Sequence, residues 1–157
     1  MTANNNTDRI RKQYRGTAII HTPEGIIMNA MKDAKFILPG GAANRKDGES
    51  RIEAVVREVR EEMALHAFMV FELFSYIAPP FIAKNYQDHH KVFYVRVKGT
   101  LKPGREVKHI GWYKPGMKEI EGRLISGVHI PIIEKYLAMR RENPALFDLL
   151  DMEKEPE

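Results

Sequence analysis

Apolar residues follow two spacings along the chain, and together these predict a mixture of strands and helices. Short apolar or alternating runs predict strands at 14–21, 26–31, 36–38, 68–77, 92–97 and 109–113. Apolar residues three and four positions apart predict helices at 50–64 and 126–141, and Asn143-Pro144 predicts a short helix at 145–150. The strands and helices do not alternate regularly, so the pattern favours the α+β class.

Polar segments divide the chain into one domain and two tails. With 157 residues, the chain has the length of a single compact domain. The polar, asparagine-rich start predicts a flexible tail at 1–13, and we expect the domain at 14–150 and a frayed tail at 151–157. The segment 78–90 carries two prolines and is expected to be a loop.

The helix at 50–64 is the most informative element. Ser50 and Glu53 have the spacing of a capping box, which predicts a helix start at Ser50. At about 100° per residue, the apolar residues share one arc, and three glutamates share a neighbouring arc of roughly 100°. The expected buried stripe is Ile52, Val55, Val56, Val59 and Met63, and the acidic arc is Glu58, Glu61 and Glu62.

The crowding of these three carboxylates calls for an explanation. Like charges three and four positions apart destabilise a helix by about 0.2–0.5 kcal/mol per pair. A divalent cation would turn that repulsion into coordination. The alternative is a solvated acidic face that Arg57 and Arg60 neutralise.

Composition narrows the chemistry of such a site. The chain has no cysteine, which excludes thiol catalysis and thiolate metal ligands and favours a hard cation such as Mg²⁺ or Mn²⁺. The net charge of +4 suits a phosphorylated substrate, while the scattered basic residues disfavour a nucleic-acid channel without excluding one. No run is apolar enough to span a bilayer and no secretory leader is evident, so we expect a cytoplasmic protein that binds no membrane.

The segment around this helix resembles the Nudix box, the signature of the Nudix (MutT-like) hydrolase family. The matching positions are Gly40-Gly41, Glu49, Arg57-Glu58-Val59, Glu61, Glu62 and Leu65. Seven residues separate Gly41 from Glu49, two more than in the box, which predicts a lengthened loop bulging into solvent. Ala64 replaces the glycine that usually ends the helix, and because a left-handed alanine costs about 1 kcal/mol, we expect the helix to end differently.

The resemblance implies a fold and a set of roles. The fold is an α/β/α sandwich around a mixed β-sheet. Glu58 and Glu62 are implied as principal ligands of Mg²⁺ or Mn²⁺, with Glu61 and the Gly41 carbonyl as further ligands. The catalytic base is left open among Glu61, Glu58 and Glu106, a residue outside the box, and the alternative for Glu106 is a plain surface carboxylate. A Glu49–Arg57 pair is expected to brace the loop against the helix.

The loop at 78–90 is the candidate substrate contact. Tyr86 or Phe81 could stack on a base, and Lys84 or a histidine could touch phosphate. The alternative is a hydrophobic surface loop with no such role. Trp112 is expected in the core.

The implied activity is metal-dependent hydrolysis of a phosphoanhydride bond in a nucleoside diphosphate linked to another group. A nucleoside triphosphate or ADP-ribose is the expected kind of substrate, and the partner is therefore a small nucleotide. Two alternatives stay open: a nucleotide-sensing binding module of the same fold, and an RNA 5'-end pyrophosphohydrolase. Formation of a homodimer is also left open.

Overall fold

The computed structural model of the protein describes residues 9–156. Within this range the chain forms nine strands and three α-helices, joined in places by short 3₁₀ turns. In chain order these are β1 (Arg11–Ile19), β2 (His21–Thr22), β3 (Gly25–Ala30), β4 (Gly40–Ala42), α1 (Arg51–Met63), β5 (His66–Ile77), β6 (Tyr86–Lys98), β7 (His109–Tyr113), β8 (Glu119–Ile120), β9 (Arg123–Leu124), α2 (Ile130–Glu142) and α3 (Pro144–Met152).

The larger sheet is mixed, as the sequence led us to expect. Its strand order is β4-β1-β6-β5, with β1 parallel to β6 and the other neighbours antiparallel. A second sheet, β2-β3-β7, is antiparallel and joins the first through the hydrogen bond from Ile27 N to Ile20 O, 3.0 Å long. The parallel β1–β6 pair needs a long connection, and α1 lies in that connection.

Two hydrophobic cores lie on opposite faces of the larger sheet. Successive side chains of a strand point to opposite faces. Ile19 and Val92 accordingly pack with residues of α2 and α3, whereas Ala18 and Phe93 pack with residues of α1. The sheet is therefore covered by helices on both sides, which confirms the α/β/α sandwich. None of the helices within residues 9–156 is long and apolar enough to cross a membrane.

Helix α1 begins as predicted but ends in an unexpected way. The capping box is present: Ser50 Oγ accepts from Glu53 N and the Glu53 carboxylate accepts from Ser50 N, both at 3.2 Å. Ala64 adopts the left-handed conformation, at φ 58° and ψ 24°, so the helix ends as it would with glycine, and the expectation of a different end was wrong. Ile52 was wrongly placed in the buried stripe; it is 43% exposed because it lies in the first turn, beside an open groove between α1 and β5.

Several element boundaries differ from the predicted ones. Strand β1 begins at Arg11 rather than at residue 14, because residues 11–13 pair with the start of β6. Residues 1–8 of the expected tail lie outside the described residues. Helix α2 begins at Ile130 rather than at Ser126, whose carbonyl instead accepts from His129 N in a preceding turn. Helix α3 continues to Met152, into the segment expected to be frayed.

The expected loop at 78–90 is shorter than predicted. Residues 86–90 form the first part of β6, and the polar run there concealed a strand that pairs on both sides, with β1 and β5. One of these polar side chains, His90, is fully buried and lies 2.7 Å from Thr17 Oγ1 through its Nδ1. The alternating apolar pattern that marks a strand begins only at Val92, because the preceding residues line a polar part of the interior.

Candidate active site

The carboxylates of the last two turns of α1 face one cavity. Glu58, Glu61 and Glu62 line it together with Arg105, Glu106 and Val107, and its volume is about 500 Å³. The helical spacing of the three glutamates predicted that they share a face, and the structure confirms it. The structure also brings the sequence-distant Glu106 to the same cavity.

The loop after β6 positions Glu106 by capping α1. Lys102 N donates to Met63 O at 3.0 Å, and Gly104 N donates to Glu62 O at 2.7 Å, which satisfies carbonyls that a helix end leaves free. A Cβ at Gly104 would lie 1.8 Å from Glu61 O, so the close approach requires glycine. This contact fixes the loop against the helix two residues before Glu106.

Glu62 is held by the strand that carries the two glycines. Its Oε1 accepts from Gly40 N at 2.9 Å and its Oε2 accepts from Asn29 Nδ2 at 3.2 Å. Burial raises the pKa of Glu62 to about 7, and the nearby charge of Glu58 acts in the same direction. The backbone amide of Gly40 in β4 therefore helps to orient a buried carboxylate.

Glu58 lies directly against Gly41. A Cβ at Gly41 would lie 2.6 Å from Glu58 Oε1, so a side chain there would displace the carboxylate. Arg57 Nη1 donates to Glu58 at 2.9 Å and to Glu61 at 3.0 Å. Burial nevertheless raises the pKa of Glu58, against the lowering effect of Arg57.

The Glu49–Arg57 pair has the predicted geometry. Arg57 Nε and Nη2 donate to the two oxygens of Glu49 at 2.7 and 2.9 Å, and Asn44 N donates to the same carboxylate at 2.9 Å. The hydrogen bonds from Arg57 and Asn44 lower the pKa of Glu49 to about 2. The pair thus links α1 to the lengthened loop, whose residues 44–48 are exposed to solvent as expected.

The donors in this cavity fit a hard divalent cation. They are carboxylate oxygens, two of them half-buried or more, and the lack of a side chain at Gly41 lets the Glu58 carboxylate lie against the backbone there. In the described part of the chain, no three carboxylate or imidazole groups stand in a metal-binding arrangement, and Glu58 and Glu61 are both paired with Arg57. Burial and, to a lesser degree, the charge of Glu58 disfavour the ionised form of Glu62, and a bound cation would favour that form.

A second pocket, of about 550 Å³, adjoins the carboxylates. It shares Glu58, Glu62 and Glu106 with the first cavity and adds Arg15, Asn29, Phe81, Tyr86 and Ser126. Tyr86 lines this pocket, with its ring centroid 5.6 Å from that of Phe81, and its contact with a substrate stays a prediction. Lys84 does not line the pocket; its Nζ lies 5.8 Å from the Phe81 ring centroid. Trp112 packs, partly buried, against the core on the α1 side.

Sequence reasoning missed two residues of this site. Asn29 is a single polar residue within the apolar run of β3, and it is only 2% exposed. A polar residue in such a run predicts a buried side chain with a hydrogen-bond partner, so the sequence could have identified Asn29. Arg15 stands among other polar residues at the start of β1, and nothing in the linear pattern distinguishes it.

The fold and the site define a class: an α+β sandwich in which one helix presents carboxylates to a cavity beside an aromatic-lined pocket. The model of the NUDIX domain matches residues 17–121, and the chain belongs to that family.

Individual relatives agree with this assignment. A Bacillus subtilis (strain 168) protein, provisionally named an 8-oxo-dGTP diphosphatase, is 30% identical over 101 residues, which is 62% of this chain and 63% of that protein. The match thus spans less than two thirds of this curated relative. The crystal structure of a Chromobacterium violaceum protein, provisionally assigned to the nudix hydrolase family, is similar with a TM-score of 0.73 and 31% identity over 89% of each chain. The solution structure of the E. coli ORF135 protein is similar with a TM-score of 0.67 and 26% identity over 88% of this chain and 97% of that one.

Proposed function

We propose that the protein is a divalent-cation-dependent pyrophosphohydrolase that cleaves a phosphoanhydride bond of a nucleoside triphosphate. The observation that carries the proposal is the convergence of Glu58, Glu61, Glu62 and Glu106 on one cavity that opens into an aromatic-lined pocket. The cavity would take the cation and phosphates, and the pocket would take the base. A solvated acidic face would not explain the burial of Glu62.

The side chains have distinct roles in this proposal. Glu58 and Glu62 would hold Mg²⁺ or Mn²⁺, with Glu61 and the Gly41 carbonyl as further ligands. Such a cation, when bound, neutralises phosphate charge and polarises the bond to be cleaved. Gly40 N and Asn29 orient the Glu62 carboxylate, and Arg57 orients Glu58 and Glu61. Tyr86 offers a ring on which a base could stack.

Glu106 is the favoured base among the three candidates. Arg57 already donates to Glu58 and Glu61, whereas no hydrogen-bond donor to the Glu106 carboxylate is found among residues 9–156. A carboxylate without such a donor is free to accept a proton from the attacking water. In this scheme Glu106 removes that proton as the oxygen attacks phosphorus.

A nucleoside triphosphate is favoured over ADP-ribose by the name of the Bacillus subtilis relative, an 8-oxo-dGTP diphosphatase. The product would be a nucleoside monophosphate together with pyrophosphate. An RNA 5'-end substrate and a nucleotide-sensing role stay as alternatives. The homodimer and the cytoplasmic location remain predictions.

The test is a substrate screen of the full chain with Mg²⁺, with Mn²⁺ and with EDTA. The substrates are dGTP, 8-oxo-dGTP, ADP-ribose and a short 5'-triphosphorylated RNA. The readout is formation of the nucleoside monophosphate or, for the RNA, of a 5'-monophosphorylated end with release of pyrophosphate. We expect a nucleoside triphosphate to be cleaved fastest and EDTA to abolish cleavage. Turnover undiminished by EDTA would contradict the proposal, and binding of nucleotides without any turnover would favour the sensing module.

A further inference from the structure

Arg15 lies in the wall of the pocket that adjoins the carboxylates. It is in β1, opposite His90 of β6, and it lines the pocket together with Glu58, Glu62 and Tyr86. Its side chain is half-buried. No role has been given to it so far, and its position between the carboxylates and the aromatic rings singles it out.

The guanidinium group of Arg15 is poorly satisfied by the protein itself. Within residues 9–156 it forms no ion pair, and its single hydrogen bond is a long one, from Nη2 to Leu38 O at 3.4 Å. Its Nε is buried and has no hydrogen-bond partner. Burying a charged donor without a partner is costly, so such a group is commonly completed by a ligand.

The charges around Arg15 indicate which ligand would complete it. Burial raises the pKa of Glu58 and Glu62, and the positive charge of Arg15 acts against that rise, so Arg15 lies near both carboxylates. Within residues 9–156 it forms no ion pair with either of them. A phosphate beside a cation at those carboxylates would fall within reach of the guanidinium fork, whose planar donors match two phosphate oxygens. The base would then extend towards Tyr86, on the same pocket wall.

We propose that Arg15 binds the phosphate that joins the nucleoside to the rest of the substrate, and so positions the bond that is cleaved. The proposal rests on the proposed function, since it assumes a nucleotide in this pocket. It makes Arg15 a substrate-binding residue that holds the phosphate remaining on the nucleoside after cleavage.

A purely structural pairing with Asp88 is the competing explanation. Asp88 lies on β6 two residues before His90, on the same face of the sheet as Arg15, and its Oδ1 is also buried without a partner. The charge of Arg15 acts on Asp88 as well, lowering its pKa against the effect of burial. If the two side chains exist to neutralise each other, removing either should lower Tm without affecting ligand binding.

The experiment measures binding of dGMP and of deoxyguanosine by calorimetry, in EDTA and again in Mg²⁺. It compares Arg15→Met, Arg15→Lys and Asp88→Asn, with Arg11→Met as a matched control from the exposed start of the same strand. We expect Arg15→Met to weaken dGMP binding by about 10- to 100-fold, which is the loss of affinity expected when a hydrogen bond between charged groups is removed. Deoxyguanosine has no phosphate, so its binding should be unchanged. Arg15→Lys should fall between Arg15→Met and the wild type, and Arg11→Met should match the wild type.

Other results would overturn the assignment. If Arg15→Met weakens the binding of dGMP and of deoxyguanosine equally, Arg15 contacts the base and not the phosphate. If dGMP binding is unchanged and Tm falls in both Arg15→Met and Asp88→Asn, the two residues form a structural pair. Because dGMP is a ligand that is not cleaved, this binding result does not depend on turnover. A phosphate-dependent loss of binding in a chain that cleaves no triphosphate would therefore contradict the proposed function and the positioning role, and would leave only the assignment of Arg15 as a phosphate-binding residue.

Discussion

The two ends of α1 carry the same residue type, glutamate, in opposite electrostatic settings. At the start, Glu49 and Glu53 accept hydrogen bonds from backbone amides, and Glu49 also accepts from Arg57. Near the end, Glu58 and Glu62 are buried close enough for their charges to repel. The pKa of Glu49 is lowered to about 2, whereas that of Glu62 is raised to about 7.

We propose that this difference separates structural from functional acids on a single helix. Glu49 is stabilised mainly by the hydrogen bonds that it accepts from Arg57 and from Asn44 N in the preceding loop. Glu53 is stabilised by the capping box, so neither carboxylate needs a ligand. Glu58 and Glu62 also accept hydrogen bonds, but burial outweighs them and raises the pKa of both carboxyl groups. The charge of Glu58 adds to this effect on Glu62. The protein retains both at a cost in stability, and we infer that a bound cation offsets that cost.

The largest effect is expected from removing one charge at the functional end. Glu58→Gln and Glu62→Gln keep size and helix propensity but remove the charge that a hard cation requires. We expect each to lower kcat/KM by about 10²–10⁴-fold, corresponding to several kcal/mol of lost electrostatic stabilisation. Tm without metal should stay unchanged or rise, because repulsion and burial of charge are relieved.

The matched control is Glu53→Gln on the same helix. Its amide oxygen can still accept from Ser50 N, so the capping box survives and activity should change little. Kinetics at saturating Mg²⁺, measured beside thermal melts, compare the three variants. A loss of kcat/KM in Glu53→Gln as large as that in Glu58→Gln would contradict the proposed difference between the two ends of α1.

A smaller effect is expected in the pH dependence of stability without metal. Since the folded pKa of Glu62 is raised from about 4.5 to about 7, the protonated form favours folding, and this stability is present below pH 4.5 and is lost as pH rises through 7. The loss is at most about 3 kcal/mol. The contribution of Glu49 to stability depends on pH with the opposite sign, because its pKa is lowered. This contribution is present above pH 4.5 and is lost as pH falls towards 2.

Chemical denaturation of the metal-free protein from pH 4.5 to 8 measures the first of these effects. Buried histidines such as His90, whose pKa burial lowers to about 3, add stability to both proteins as pH rises towards 6.5, so the comparison uses the difference between the two curves. The stability of the wild type relative to Glu62→Gln should fall across this range, and saturating Mg²⁺ should reduce that fall, because the cation favours the ionised form of Glu62. Identical slopes for the wild type and Glu62→Gln would show that Glu62 is not held in a charge-disfavouring environment.

The part of the site that lies on α1 could be predicted from sequence because helical geometry is local. The 100° rotation per residue fixes which side chains share a face, so Glu58, Glu61 and Glu62 could be grouped without a structure. The capping box and the Glu49–Arg57 pair involve residues at most eight positions apart and were also predicted correctly. The mixed sheet between helical layers followed from the family resemblance.

The remaining part depends on contacts between distant segments. Arg15 reaches the pocket only because β1 pairs in parallel with β6, some 75 positions later, and no local pattern records that register. The polar start of β6 was taken for a loop because its side chains line a polar part of the interior, which breaks the apolar alternation of a strand. Glu106 was a candidate by resemblance, but its place beside α1 depends on the contact of Gly104 with the helix end.

The smallest effect is expected from substitutions that change the backbone conformation allowed at the two ends of α1. Gly48, before the helix, and Ala64, after it, both have positive φ, at 74° and 58°. Both residues are exposed, and a Cβ added at Gly48 would meet nothing within 4 Å. Backbone conformation rather than packing should therefore determine how each substitution changes the free energy of unfolding. Ala64→Gly should stabilise the protein by about 0.5–1 kcal/mol, since it relieves the left-handed strain but increases the entropy of the unfolded chain. Gly48→Ala should destabilise it by a similar amount, and urea denaturation resolves both changes. Effects of the same sign would show that the helix ends are governed by contacts and not by φ.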